Sequence, residues 1–169
     1  MKKTVLTFGL MSGAASAVMM LATLPFTDAL GFDKGEIVGY TAIVLSFLLV
    51  FFGIRSYRQH DGAGRITFGR AFAVGILITF ITCAFYVATW EIVYFKLMPD
   101  FGEKYAAHMV AQAKASGASQ EAIDASVRDA QSFKEMYDKP LVNAAITFTE
   151  PFPIGLAMTV ISAALLRRK

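Results

Sequence analysis

Four stretches of the chain stay apolar for about twenty residues with scarcely a charge, the length a helix needs to cross a hydrocarbon core of about 30 Å. They cover residues 4–24, 37–54, 72–94 and 141–166. Between the third and fourth lies the longest polar region, residues 96–140, where apolar positions recur at intervals of three and four: Phe101, Tyr105 and Met109, then Ile123, Val127, Ala130, Phe133 and Tyr137. That period predicts two short amphipathic helices. Ser116-Gly117 separates them. Gly117 suits the close of the first, Ser119 caps the second, and Asp124 stands one turn before Arg128. The expected fold is all-α: one integral membrane domain, a four-helix transmembrane bundle with an extracytoplasmic helical hairpin between spans three and four.

Charge orients this arrangement. Lys2 and Lys3 open the chain, and Arg167, Arg168 and Lys169 end it. The loop over residues 55–71 holds Arg55, Arg58, Arg65 and Arg70 against Asp61, whereas residues 25–36 carry Asp28, Asp33 and Glu36 against Lys34 alone. Positive charge stays on the cytoplasmic side, so both termini and the arginine loop are expected inside. With 56% hydrophobic and 17% charged residues, the chain is too apolar for an ordinary soluble domain. The net charge of +3 does not argue for nucleic acid, because the basic residues border the spans and no basic stripe is interleaved with aromatics. A second reading of the N-terminus is a signal peptide, with Ala15-Ser16-Ala17 as its cleavage pattern. The apolar run continues to Leu24, which favours a retained helix, and Gly9, Gly13 and Ala17 give that helix a small-residue face for a close neighbour.

The unusual chemistry sits in the fourth span. Residues 147–155 read T-F-T-E-P-F-P-I-G, placing Glu150 beside Pro151 and Pro153. An ionisable group in lipid must be paired, neutralised or wet, and the prolines should break the span into two helical pieces. Asn143, Thr147 and Glu150 are spaced four and three apart and share a helical face. Glu91, flanked by Trp90 and Tyr94 in the style of an interfacial aromatic belt, lies at a similar depth, about 28 Å from the inner boundary against about 24 Å for Glu150. In a shared cavity the two carboxylates would hold one proton between them near neutrality. Alternatively, each lies at the outer water boundary, or Glu150 accepts hydrogen bonds from the interrupted backbone.

The arginine loop almost spells a phosphate-binding loop, but Gly64-x-x-x-x-Gly69 is followed by Arg70-Ala71 and no strand precedes it. Its glycines fit a tight hairpin, and its four arginines fit anionic headgroups or plain retention on the inner side. His60 and His108 are expected on opposite sides of the membrane, no Cys-x-x-Cys or His-x-x-x-His spacing occurs, and Cys83 allows no intrachain disulfide. No nucleophile stands by a positioned base. The expectation is a protein without a metal, a cofactor or an enzymatic activity.

Tyr40, Gly53-Ile54-Arg55 with Tyr57-Arg58, Gly64-x-Ile66-x-Phe68-Gly69, Asp100-Phe101, Tyr137 and Phe148-x-Glu150-x-Phe152-Pro153-x-Gly155 together resemble the family defined by domain of unknown function 4199. The likeness covers nearly the whole chain. It implies a four-span bacterial cytoplasmic-membrane protein with helices between spans three and four, and it supplies no substrate or cofactor. The functional expectation is a non-enzymatic component of an envelope or membrane complex, in contact with lipids and with an envelope partner or further copies of itself. The alternative is a small proton-coupled carrier or channel subunit using Glu150 and Glu91.

Overall fold

The computed structural model describes residues 1–168; Lys169, the last residue of the basic tail, lies outside them. Seven α-helices follow one another: α1 Lys2–Thr23, α2 Thr27–His60, α3 Phe68–Ile92, α4 Phe101–Ala115, α5 Gln120–Tyr137, α6 Pro140–Phe148 and α7 Pro151–Leu166. Apart from one isolated bridge between Ile66 and Arg168, all regular structure among the described residues is helical. The chain divides into two compact units, Met1–Thr89 together with the chain from Phe148 onward, and Trp90–Thr147.

The four expected spans appear as three helical runs long and apolar enough to cross a membrane: Lys2–His60, Phe68–Leu97 and Pro140–Leu166. The difference lies in residues 25–36, read from sequence as an acidic connection. Leu24–Phe26 form a 3-10 turn in which Pro25 sits near the start, where a missing N–H removes no helical bond. Thr23 Oγ1 donates to Met20 O and Thr27 Oγ1 to Leu24 O, so the carbonyls at the joint are satisfied and the helix resumes at once. Only Gly31, at φ +67°, leaves helical geometry inside α2. The first two apolar windows therefore merge into a run of 59 residues. Straight, it would measure about 88 Å, three times a bilayer core. It is not straight: Thr4 Oγ1 donates to Asp61, a side chain at Gly53 would meet Phe8, and Ser12 Oγ donates to Ser46 O at 2.8 Å, so its two halves lie antiparallel.

In the same unit α3 and α7 complete the packing. Gly9 and Gly13 of α1 press on Ile81 and Phe85 of α3, the small-residue face the sequence shows. The α3–α7 contact is reciprocal: Gly75 on α3 faces Thr159 on α7, and Gly155 on α7 faces Thr79 on α3, with Thr79 Oγ1 3.0 Å from Thr159 Oγ1 and donating to Gly155 O at 3.3 Å. Small residues bring the backbones close, and the threonines use hydroxyls that lipid could not satisfy. Phe47, Val50, Ile54, Val74 and Ile78 fill the centre without exposure.

The arginine loop is a tight turn, as its glycines suggest. Ala63 and Gly64 both have positive φ, Gly64 N donates to Arg58 O and Arg65 N to Gly62 O, and a side chain on Gly62 would run into the Arg65 carbonyl. Ile66 and Arg168 exchange both backbone bonds, tying the loop to the end of α7.

The second unit holds the end of α3, which widens into a π-turn over Val93–Leu97, and then α4, α5 and most of α6. Gly117 takes φ +72° after α4, and Ser119 Oγ accepts from Ala122 N to cap α5. Asp124 takes Gln120 Nε2 rather than Arg128 as its partner. Val127 is exposed while Ala130 and Tyr137 are buried, because Val127 lies about 80° from Tyr137 around the helix.

Candidate functional site

Pro151 opens α7, and α6 ends at Phe148, so the fourth run breaks where the prolines demand. Glu150 occupies the cap position of α7, yet its side chain caps nothing. It turns instead to α3, where Tyr86 OH donates to Glu150 Oε2 at 2.9 Å. Of the alternatives the sequence leaves for Glu150, a bond from a facing helix is the one seen here, and a phenol is a stronger donor to a carboxylate than a backbone amide. Pro151 is buried and Pro153 is exposed. Glu36 and Tyr40 of α2 lie within electrostatic reach of Glu150.

Asn143 and Thr147 belong to the other unit, and the structure brings them together with Trp90 and Tyr137, which the sequence places in an aromatic belt and on an amphipathic face but not beside them. Trp90 Nε1 donates to Tyr137 OH at 2.9 Å, Tyr137 OH lies 3.0 Å from Thr147 Oγ1, and Thr147 Oγ1 donates to Asn143 Oδ1 at 3.1 Å. Asn143 Nδ2 returns a bond to Tyr137 O at 3.2 Å. Thr147 has one hydroxyl proton and donates it to Asn143 Oδ1, so in the contact with Tyr137 the phenol is the donor and Thr147 Oγ1 the acceptor. Asn143 and Thr147 are fully buried, and this relay satisfies them.

Glu91 belongs to this unit too, and its Oε1 is buried with no hydrogen-bond partner. Trp90 and Tyr94, read as an interfacial belt, both donate to residues at the end of α5, Tyr94 OH reaching Asp138 Oδ1 at 2.6 Å. Lys134 Nζ sits 2.8 Å from Asp138 Oδ2. The Lys134 ammonium, and then the Tyr94 hydroxyl, hold the Asp138 carboxyl below its ordinary range, and Asp138 in turn holds Lys134 above its own. Trp90, Tyr94, Phe101, Tyr105, Phe133 and Tyr137 form a continuous set of ring contacts, with Trp90 edge-on to Phe101 at 5.0 Å and Phe133 stacked on Tyr137 at 5.2 Å.

Of the four loop arginines, Arg55, Arg65 and Arg70 are exposed. Arg58 is half-buried and its Nη1 donates to Leu166 O at 3.3 Å, so it closes the C-terminus of α7. Among the described residues, no group of three or more His, Cys, Asp or Glu side chains could hold a metal ion. Tyr86, which sequence reasoning did not single out, was legible in one respect only: a phenol inside an apolar span needs a partner.

The family model described as "Protein of unknown function (DUF4199)" matches residues 7–168. No curated protein and no solved structure matches the chain.

Proposed function

This chain belongs to the DUF4199 family, whose function is unknown, and from that premise we propose that it is a multi-pass protein of the bacterial cytoplasmic membrane and a non-enzymatic component of an envelope or membrane complex. Both termini and the arginine loop are cytoplasmic, the run Lys2–His60 crosses twice, and α4 and α5 form the extracytoplasmic part that meets a protein partner or a second copy. The observation that carries this reading is the aromatic core of the second unit. Six rings from the end of α3, α4 and α5 pack on one another, while Glu121, Asp124, Arg128, Asp129 and Glu135 stay exposed on α5. A helical pair with its own core and a face of mixed charge fits protein recognition better than nucleic acid, which would call for a basic stripe. Exposed Arg55, Arg65 and Arg70 meet anionic headgroups on the inner side.

The test uses a Cys83→Ser background in intact cells. A cysteine at Ser116 should react with an impermeant thiol reagent and one at Ala63 should not. A photoreactive residue at Arg128 should crosslink to one reproducible protein species, and one at Leu165 to none. Reversed labelling would sink the orientation, and equal crosslinking at both positions would sink the partner surface.

One observation favours a second reading, proton coupling through Glu150: its carboxylate is held by Tyr86 among further acidic and phenolic groups. Glu150→Gln in proteoliposomes should then abolish a proton flux while leaving assembly intact, with Glu91→Gln reducing it. No flux above empty vesicles in the unsubstituted protein would end that reading.

A further inference from the structure

The outer end of α2 carries an open groove of ≈ 590 Å³, with Asp33 and Glu36 at one end and Ile37, Tyr40, Val44 and Leu45 along its length. Thr41 also lines it, but its hydroxyl donates to Ile37 O, leaving the methyl group to the groove. Ile37, Tyr40, Val44, Leu45 and Leu48 are all large, exposed and on one side of the helix. From Ile37 to Leu48 the stripe is about 16 Å long, which is half of a bilayer core and therefore the depth of one leaflet. The volume lies within the usual range for a small-molecule site. Charge is divided along the same axis. Residues 25–36 hold Asp28, Asp33 and Glu36 against Lys34, and Glu150 lies within electrostatic reach of Glu36.

We propose that this groove holds a membrane aminophospholipid, with its primary ammonium on Glu36 and Asp33 and an acyl chain along Ile37, Tyr40, Val44 and Leu45. The inference rests on the membrane reading above. A lipid is the occupant because the groove runs along a helix of membrane-spanning character and carries charge at one end only, so a ligand must be apolar for a leaflet's depth and polar at its tip. The tip is an amine because two carboxylates line it; an anionic headgroup would meet repulsion there. A primary ammonium donates hydrogen bonds to carboxylates, which the quaternary group of choline cannot do.

The full-length protein, stripped of lipid in mild detergent, is titrated with phosphatidylethanolamine, phosphatidylcholine or phosphatidylglycerol of matched acyl chains, and bound lipid is read by native mass spectrometry. The ethanolamine lipid should bind at least about fivefold more tightly than either other lipid, and Asp33→Asn with Glu36→Gln should weaken it by about tenfold without changing the glycerol lipid. Glu36→Lys should shift the preference toward phosphatidylglycerol. Equal binding of the three lipids, or a preference that survives the double substitution, overturns the proposal. So does spermidine displacing the lipid at equal affinity, because the apolar wall would then contribute nothing. Flotation with vesicles separates the two claims: a chain that fails to insert defeats the membrane reading as well, whereas a chain that inserts without an ethanolamine preference defeats the groove alone.

Discussion

Replacing Gly155 by alanine tests the contact on which α7 depends. A Cβ at this position would lie 2.5 Å from Thr79 Cγ2 and 2.6 Å and 2.7 Å from two ring carbons of Phe47, against a comfortable separation of about 3.5–4.0 Å. Phe47 is completely buried, so its ring has nowhere to swing. Relief must come from α7 moving away from α2 and α3 by about 1 Å, and overpacking of this kind costs about 1–3 kcal/mol. The same movement stretches the bonds from Thr79 to Gly155 O and Thr159 Oγ1, at about 0.6 kcal/mol each in a membrane setting. Alanine's better helix propensity returns about 1 kcal/mol. The balance is a loss of about 1–3 kcal/mol, with sterics deciding the sign. Reversible unfolding in mixed micelles of mild detergent and dodecyl sulfate, followed by far-UV circular dichroism, measures it. Gly39→Ala is the control, since no atom lies within 4 Å of its Cβ position, and it should be neutral or slightly stabilising. Adding Thr79→Ser removes the clashing methyl and keeps the hydroxyl, so it should restore part of the loss but not the part due to Phe47. If Gly155→Ala matches the stability of Gly39→Ala, the close α3–α7 approach is not what holds this helix.

The Lys134–Asp138 contact predicts a pH window for the second unit. Asp138 is depressed when folded, so its contribution is present above the ordinary carboxylate range of about 4 and is lost as pH falls through the lower folded value. Lys134 is raised when folded, so its share is complete below about 10.4 and is lost as pH rises through the folded value. Amide protection factors at the end of α5, with the intrinsic pH dependence of exchange divided out, should be largest between those limits, and Asp138→Asn should flatten the acid side; an unchanged profile would remove the role of the pair. Thr147→Val keeps the shape but removes the hydroxyl that bonds both Tyr137 OH and Asn143 Oδ1, at about 1–3 kcal/mol, so micelle unfolding should shift and Trp90 fluorescence should change with it. Equal stability would mean that water serves the relay. Arg58→Ala should speed amide exchange over the last turn of α7 by removing its cap, while Arg55→Ala should not; equal effects would return Arg58 to a purely topological role.

Much of this architecture follows from local pattern. Apolar runs set the helices, Pro151 and Pro153 break the last of them after Phe148, and Gly117 with Ser119 separates α4 from α5, because these effects act within one or two turns of the backbone. The family was legible for a related reason: Gly53-Ile54-Arg55 and Glu150-x-Phe152-Pro153 are local words. Residues 25–36 were harder, since Pro25 at the start of a 3-10 turn and threonine hydroxyls on orphan carbonyls let the chain stay helical where polarity suggested a loop. Beyond the reach of pattern lay every pairing between distant segments. Periodicity puts Glu150 on a face with Asn143 and Thr147, but the break after Phe148 leaves Glu150 to Tyr86 and the other two to Tyr137. Arg58 could be read as a cytoplasmic charge, though not as the cap of a helix that begins more than ninety residues later in the chain. A buried donor or acceptor in an apolar setting must find a partner, which the amino-acid sequence alone announces as a need; which partner it finds depends on how closely helices approach, and here that is decided by Gly75, Gly155 and the threonines facing them once the bundle has formed.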